Sequence, residues 1–291
     1  MNAKIIDGKQ IAESIKREIA QEVEALKIKN VQPKLVVVLV GEDPASQVYV
    51  RNKGLACEQV GMAHETIKQP ATMPEKDLLA LIDQLNKDPS VTGILVQLPL
   101  PKHINETLII NAINPAKDVD CFHPFNVGRL AIGDAIFLPC TPAGVQELLM
   151  RSEADPSGKH TVIEGRSNIV GKPLANMLVQ KAKGANSTVT VCHTGTPDMT
   201  YFIKQADIVV AAVGRAEMIR GEMLKPGAVV IDVGINRISD PSTKSGSRLV
   251  GDVHFDSAKE VASAITPVPG GVGPMTIVML LKNTLKAAKQ G

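Results

Sequence analysis

At 291 residues the chain has the length for two domains of ordinary size, and its net charge of +2, with the signs evenly mixed, leaves no basic stripe for a nucleic-acid partner. Apolar residues come in short runs broken by charges, Gly and Pro, and no stretch reaches the about 18 uninterrupted apolar residues of a membrane-spanning helix. Four scattered cysteines without a C-x-x-C pair, and six histidines without an H-E-x-x-H pattern, predict reduced thiols and no metal site.

The leading stretch Met1-Asn-Ala-Lys-Ile-Ile-Asp7 has neither the apolar region nor the small-residue cleavage site of a signal peptide, so a cytoplasmic location is expected. Residues 9–29 then set Ile11, Ile15, Ile19, Val23 and Leu26 at helical spacing. Residues 35–40, Leu-Val-Val-Val-Leu-Val, are apolar without alternation, as in a parallel strand buried on both faces. Asp43-Pro44 marks the start of the next helix, an N-cap acceptor followed by a first-turn proline. On that helix Ser46, Tyr49 and Lys53 fall at i, i+3 and i+7 and share one face. The face reads either as a surface with a snorkelling lysine or as a catalytic face at the carboxyl end of the strand. The rest of the chain favours the second.

A strand over 62–67, a helix over 74–86 and a strand over 91–97 complete a β-α-β-α-β run, which stacks into a small parallel sheet with helices on both faces. Gln97, at the end of the last strand, either satisfies a loop backbone or partners Lys53 or a ligand amide. In the loop 115–124, Asp118 and Asp120 either cap local backbone or recognise the paired N–H donors of a ring system.

Leu138-Pro-Cys-Thr-Pro-Ala-Gly144 marks the crossing into a second unit, with Thr141 and Pro142 as N-cap and first position of a helix to Arg151. The pattern then restarts: strand 161–163, glycine loop 164–171, helix 173–183, strand 188–192, helix 197–205, and strands 208–213 and 229–233. This is a second α/β unit, of Rossmann type. Strand ends at Ala212-Val213-Gly214 and Asp232-Val233-Gly234 let a ligand come close to the backbone. Residues 237–248 read as an exposed polar excursion, and 276–289 as a last helix that returns to the first unit.

The loop Gly165-Arg-Ser-Asn-Ile-Val-Gly171 matches neither G-x-G-x-x-G nor the P-loop, but between a strand and a helix its amides and the helix dipole favour a phosphate. An NAD site carries an acidic residue about 20 residues further on, at the end of the second strand. Here that strand ends at neutral Thr194, and Arg166 lies close enough in sequence to grip a 2′-phosphate, so NADP is the expected cofactor.

Six segments in order, Tyr49-Val-Arg-Asn-Lys53, Gly93-Ile-Leu-Val-Gln-Leu-Pro-Leu-Pro101, Lys117-Asp-Val-Asp120, Pro139-Cys-Thr-Pro142, Gly165-Arg-Ser-Asn-Ile-Val-Gly-Lys-Pro173 and Thr266-Pro-Val-Pro-Gly-Gly-Val-Gly-Pro-Met-Thr276, carry a resemblance. Across nearly its whole length the chain resembles the bifunctional methylenetetrahydrofolate dehydrogenase/methenyltetrahydrofolate cyclohydrolase family. The resemblance implies NADP-dependent oxidation of 5,10-methylenetetrahydrofolate to 5,10-methenyltetrahydrofolate, then hydrolysis to 10-formyltetrahydrofolate. It implies Lys53 as general acid/base, Tyr49 packed on the folate, Gln97 tuning Lys53 and Asp120 anchoring the pterin. Ser46, Leu98, Pro99, Pro267, Gly271 and Pro274 are the further substrate contacts it implies. For the cofactor it implies Thr141, Gly165, Arg166, Ser167, Ile169, Thr194, Ala212, Val213, Gly214, Gly234, Ile235 and Thr276. The expected domains are a folate-binding catalytic domain at 1–140 plus 274–291 and a Rossmann-type NADP-binding domain at 141–273, in a homodimer.

Three positions depart from the family pattern: Cys121 in place of glycine, Glu164 in place of an apolar residue, and Thr194 in place of serine. Cys121 is expected to disturb its loop if φ there is positive, and Glu164 to repel the cofactor phosphates unless Arg166 or Lys172 neutralises it. Two rivals remain at this point: an NAD-linked dehydrogenase without the hydrolytic step, and a non-catalytic dinucleotide-binding module.

Overall fold

The computed structural model of the protein describes residues 3–243 and 246–290. Met1 and Asn2 of the leading stretch, and Lys244 and Ser245 of the predicted excursion, lie outside the described residues.

In chain order the elements are β1 (Lys4–Ile5), α1 (Gly8–Lys27), β2 (Lys34–Val40), α2 (Pro44–Gln59), β3 (Ala63–Gln69), α3 (Glu75–Lys87), β4 (Gly93–Val96), α4 (Glu106–Ala112), α5 (Pro124–Ala131) and α6 (Cys140–Arg151). They continue with β5 (His160–Glu164), α7 (Gly171–Leu178), β6 (Thr188–Cys192), α8 (Met199–Ile203), β7 (Ile208–Ala211), β8 (Val229–Asp232), β9 (Asn236–Ser239), β10 (Ser247–Val250), α9 (Phe255–Val261), β11 (Ala264–Ile265) and α10 (Val272–Ala288). Among the described residues no helix is long and apolar enough to cross a membrane.

The chain divides into two compact units, each α/β. The first holds Glu13–Cys140 and the chain from Ile277 on; the second holds the residues up to Ala12 and Thr141–Thr276. In the first, the parallel strands lie in the order β3-β2-β4. Central β2 is buried on both faces, which is why it is apolar without alternation. Val36, Val38 and Ile94 face Leu78 and Ile82 of α3 in one core cluster. In the second, six parallel strands follow the order β1-β11-β8-β7-β5-β6, the pattern of a doubly wound dinucleotide fold.

Several boundaries differ from the sequence reading. The first residues belong with the six-stranded sheet, because β1 pairs in parallel with β11 across 260 positions of sequence (Lys4 with Ala264). Helix α6 starts at Cys140, so Thr141 and Pro142 lie inside its first turn, where a missing proline donor leaves no gap. The same rule lets α10 start at Val272, ahead of Pro274, rather than at Thr276. Helix α7 stops at Leu178, whose carbonyl is taken by the Ser187 amide as the chain turns back into β6. The polar excursion is framed by an antiparallel hairpin of β9 and β10, register Ile238 with Arg248.

Candidate active site

In the first unit, Asp43 caps α2 by accepting from the Ser46 amide at 2.7 Å, and Pro44 follows at the first position. This fixes the turn phase of the helix and buries Ser46 and Lys53, while Tyr49 keeps 41% of its surface exposed. Lys53, 8% exposed, donates from Nζ to Gln97 Oε1 at 2.9 Å. Gln97 follows directly on β4, and its amide nitrogen donates to the Leu98 carbonyl at 2.8 Å, so the side chain is clamped with its oxygen turned to the amine. Both sequence readings of Gln97 hold at once: it satisfies loop backbone and it partners Lys53. Leu98 is half-buried and Pro99 exposed beside it.

Burial holds the Lys53 amine below the ordinary lysine range, opposed by the nearby Asp120 carboxyl. Burial likewise raises the Asp120 carboxyl above its usual range, with Lys53 pulling it down and Asp118 pushing it up. The Cys140 thiol is pushed well up by burial and by facing Asp120. Asp118 is structural: it accepts from the His123 amide at 2.9 Å and from Asn126 Nδ2 at 2.8 Å, closing the loop that carries Asp120.

Sequence reasoning missed Asn283. It is 8% exposed on α10, and its Nδ2 donates to the Val119 and Leu138 carbonyls at 2.8 Å each, pinning the segments on either side of Asp120 and Cys140. A polar residue on the apolar face of the last helix was the available signal. Cys121 adopts the feared conformation, φ +64°, and is held there by its thiol donating to the Phe137 carbonyl at 3.2 Å. The thiol closes the loop at some backbone strain.

Three of the proposed substrate contacts, Pro267, Gly271 and Pro274, lie in the second unit. Gly271 is buried so tightly that a side chain on Gly8 would start 1.9 Å from its carbonyl oxygen.

In that unit β5 leads into Gly165 and the turn ends at Gly171, which opens α7. A Cβ on Gly165, at φ +124°, would meet the Ala212 carbonyl oxygen at 2.2 Å, and one on Gly171 would meet the Gly165 oxygen at 2.0 Å. Side chains are therefore excluded where backbone must pass close to β7 and to the turn itself. Ser167 Oγ accepts from the Val170 amide at 3.1 Å, and Arg166, Ser167 and Ile169 are exposed on the turn. Arg166 Nη1 lies 3.5 Å from His193 Nε2, beside exposed Thr194 at the end of β6. An open turn at a helix N-terminus with an exposed guanidinium beside it fits a dinucleotide with an extra phosphate. Thr141 and Thr276 are brought together, their hydroxyls 2.9 Å apart.

Neither Arg166 nor Lys172, the two residues that could neutralise Glu164, is engaged with it. Arg166 contacts His193 and Lys172 donates to Asn168 at 2.7 Å, while both Glu164 carboxylate oxygens are buried without a conventional hydrogen-bond partner. Burial raises its carboxyl to about 7, against the weak donor Cys192 on the next strand. The residue lies two beyond Val162 on the same strand face, opposite Cys192 and Ala211, in an apolar core lined by Met199 and Phe202.

A glycine turn between strand and helix of a parallel sheet, in one chain with a desolvated lysine, is the arrangement of a nucleotide-dependent oxidoreductase that also has acid/base chemistry at hand. The catalytic-domain description of tetrahydrofolate dehydrogenase/cyclohydrolase matches residues 6–120, and the NAD(P)-binding-domain description of the same family matches residues 139–291. The chain belongs to the tetrahydrofolate dehydrogenase/cyclohydrolase family. It is 58% identical over 286 residues to the bifunctional protein FolD of Prosthecochloris aestuarii, covering 97% of each. Its fold matches the crystal structure of the bifunctional enzyme FolD from Campylobacter jejuni with a TM-score of 0.93 at 48% identity, covering 99% of each chain. The Trypanosoma brucei FolD structure, complexed with NADP cofactor and inhibitor, also gives 0.93, at 42% identity over 100% of this chain and 98% of that one.

Proposed function

We propose that the protein oxidises 5,10-methylenetetrahydrofolate with NADP and hydrolyses the 5,10-methenyltetrahydrofolate formed to 10-formyltetrahydrofolate. The observation that carries this reading is the Lys53–Gln97 pair, a desolvated amine held at 2.9 Å by a clamped amide in a chain whose two halves match the two domains of the family. The unit with Lys53 takes the folate, and the unit with Gly165 takes the cofactor.

NADP, when bound, supplies the hydride acceptor. Gly165, Arg166, Ser167 and Ile169 would hold its phosphates and Thr194 its ribose, with Ala212, Val213, Gly214, Gly234, Ile235, Thr141 and Thr276 along the rest. In the hydrolytic step Lys53 Nζ takes a proton from the water as it adds to the methenyl carbon and gives it to N5 as the carbon–N5 bond breaks, the remaining hydroxyl proton leaving to solvent as the formyl C=O forms; burial, by lowering the amine's pKa, favours the neutral form that accepts the proton. Gln97 orients Nζ, the half-buried Asp120 accepts N–H donors of the pterin, and exposed Tyr49 offers its ring as a stacking face with Ser46, Leu98 and Pro99 around it. Pro267, Gly271 and Pro274 would contribute from the 266–276 loop.

We further propose that it works as a cytoplasmic homodimer, a reading supported by the family likeness alone; sedimentation should give twice the chain mass. The activity is tested with one mixture of methylene-folate and NADP, following the NADPH and methenyl-folate absorbances together. NADPH should rise stoichiometrically while methenyl-folate stays low because it is hydrolysed. Methenyl-folate accumulating without decay would remove the cyclohydrolase, and no NADPH would remove the dehydrogenase.

A further inference from the structure

The ends of β7 and β8 are tied together by two buried carboxylates, Asp232 of the strand end named above and Asp252, which no motif singled out. Asp252, 0% exposed, accepts four hydrogen bonds. Its Oδ2 takes the amides of Val213 (2.7 Å) and Gly214 (2.9 Å), and its Oδ1 takes the amide of Arg215 (2.9 Å) and Asn236 Nδ2 (2.8 Å). Three consecutive amides turned onto one carboxylate form an anion nest, closed here by the protein's own side chain. Gly214 sits at φ +68°, the left-handed conformation such a nest needs.

Asp252 is itself held by Asp232, the last residue of β8. Asp232 accepts from the amides of Gly234, Asp252 and Val253, each at 2.9 Å. The space between them is fully used: a Cβ on Gly251 would start 1.8 Å from Asp232 Oδ2, and one on Gly234 would start 2.3 Å from the Asp252 carboxylate. Asp252 is fully buried, its carboxylate taken up by backbone amides and Asn236. Its effect is on where the backbone of 213–215 stands.

In the order β8-β7-β5-β6 the phosphate turn follows β5, the second strand β6 ends near the adenosine ribose, and β7 and β8 fall to the other half of a dinucleotide. We infer that Asp252 is a positioning residue of the dehydrogenase, fixing the Val213–Gly214–Arg215 turn that receives the nicotinamide half of NADP. The inference rests on the cofactor reading above and adds a residue to it.

The test is Asp252→Asn. One carboxamide oxygen cannot accept from both sides, and its NH2 would confront either the Val213 and Gly214 amides or the Arg215 amide and Asn236. Losing one charge-assisted bond's worth of order in the turn should raise the NADP Kd at least about tenfold, by the conversion of about 1.4 kcal/mol per decade. Affinity for adenosine 2′,5′-bisphosphate, which needs only the β5–β6 side, should stay within about twofold of the native protein. The double variant Asp252→Asn, Asn236→Asp gives that NH2 an acceptor at position 236 but leaves the Arg215 amide facing it, and should recover part of the NADP affinity.

Unchanged NADP affinity in Asp252→Asn overturns the inference while leaving the cofactor reading intact. Equal loss of NADP and bisphosphate binding overturns it too, because the residue would then be holding the unit as a whole. Failure of the native protein to bind either compound would overturn the cofactor reading and the inference with it.

Discussion

Glu164 allows the sharpest test. Its carboxyl is buried in an apolar core without conventional partners, which raises it from 4.5 to about 7. The folded protein therefore holds this proton more tightly than the unfolded chain. Between these values the native state carries more protons, so stability falls as pH rises. The contribution is fully present below the unfolded value and is lost as pH climbs through about 7. At 1.36 kcal/mol per decade, the gap between 4.5 and about 7 is worth about 3 kcal/mol.

Glu164→Met removes the ionisation and places an apolar chain of similar length beside Cys192 and Ala211 of the neighbouring strands. Asp232 is also raised to about 7 by burial and titrates in the native protein and the variant alike, so the difference between the two isolates Glu164. The stability advantage of Glu164→Met should grow by about 2.5 kcal/mol from pH 5 to pH 8, since part of the change has already occurred below pH 5, or roughly 5–10 °C in the melting temperature of a unit this size. Calorimetric melts of both proteins at half-unit pH steps measure it. An advantage that does not change with pH would refute the buried, protonated carboxyl.

Other substitutions probe the remaining parts. Lys53→Met should nearly abolish the cyclohydrolase, read from the decay of methenyl-folate absorbance, while NADP titration stays native; because burial lowers the Lys53 pKa, native hydrolysis should rise with pH to a plateau as the amine deprotonates. Asn283→Leu deletes two 2.8 Å bonds, stripping the Leu138 carbonyl of its donor and leaving the Val119 carbonyl only the weak Cys140 thiol at 3.5 Å, which should cost about 1–3 kcal/mol in urea unfolding and raise the folate KM through displacement of Asp120; an unchanged KM would show that the loop stands without it. Gly171→Ala forces a carbon to within 2.0 Å of the Gly165 oxygen and should abolish NADP binding by equilibrium dialysis at a cost of about 1–3 kcal/mol, whereas retained binding would mean the turn is not the phosphate site.

Much of the architecture was legible because burial writes itself into sequence at short range. The run 35–40 is continuous since β2 is covered on both faces, and Asp43-Pro44 announces α2 through its own cap chemistry. Ser46, Lys53, Gln97 and the glycines of 165–171 were likewise readable, each from its neighbours. What stayed hidden depends on partners far along the chain. The pairing of β1 with β11 involves two residues each, and short helices such as α4 and α5 show too few turns for a period. Asn283 meets Val119 at a separation of 164 residues. Asp252 could have been suspected from the reversed pair Asp232-Val-Gly234 and Gly251-Asp-Val253, but only the fold shows that each carboxylate fills the gap beside the other's glycine.

The placement of β1 and α10 means that neither unit is written as one continuous stretch. The six-stranded sheet begins with Lys4–Ile5 and gains the strand that pairs with it only at Ala264–Ile265, while the unit carrying Lys53 waits for Asn283 on the last helix. A nascent chain leaving the ribosome can therefore complete neither half until almost all of it has emerged. Cutting the polypeptide between residues 140 and 141 would yield two fragments, each missing a piece that the other carries.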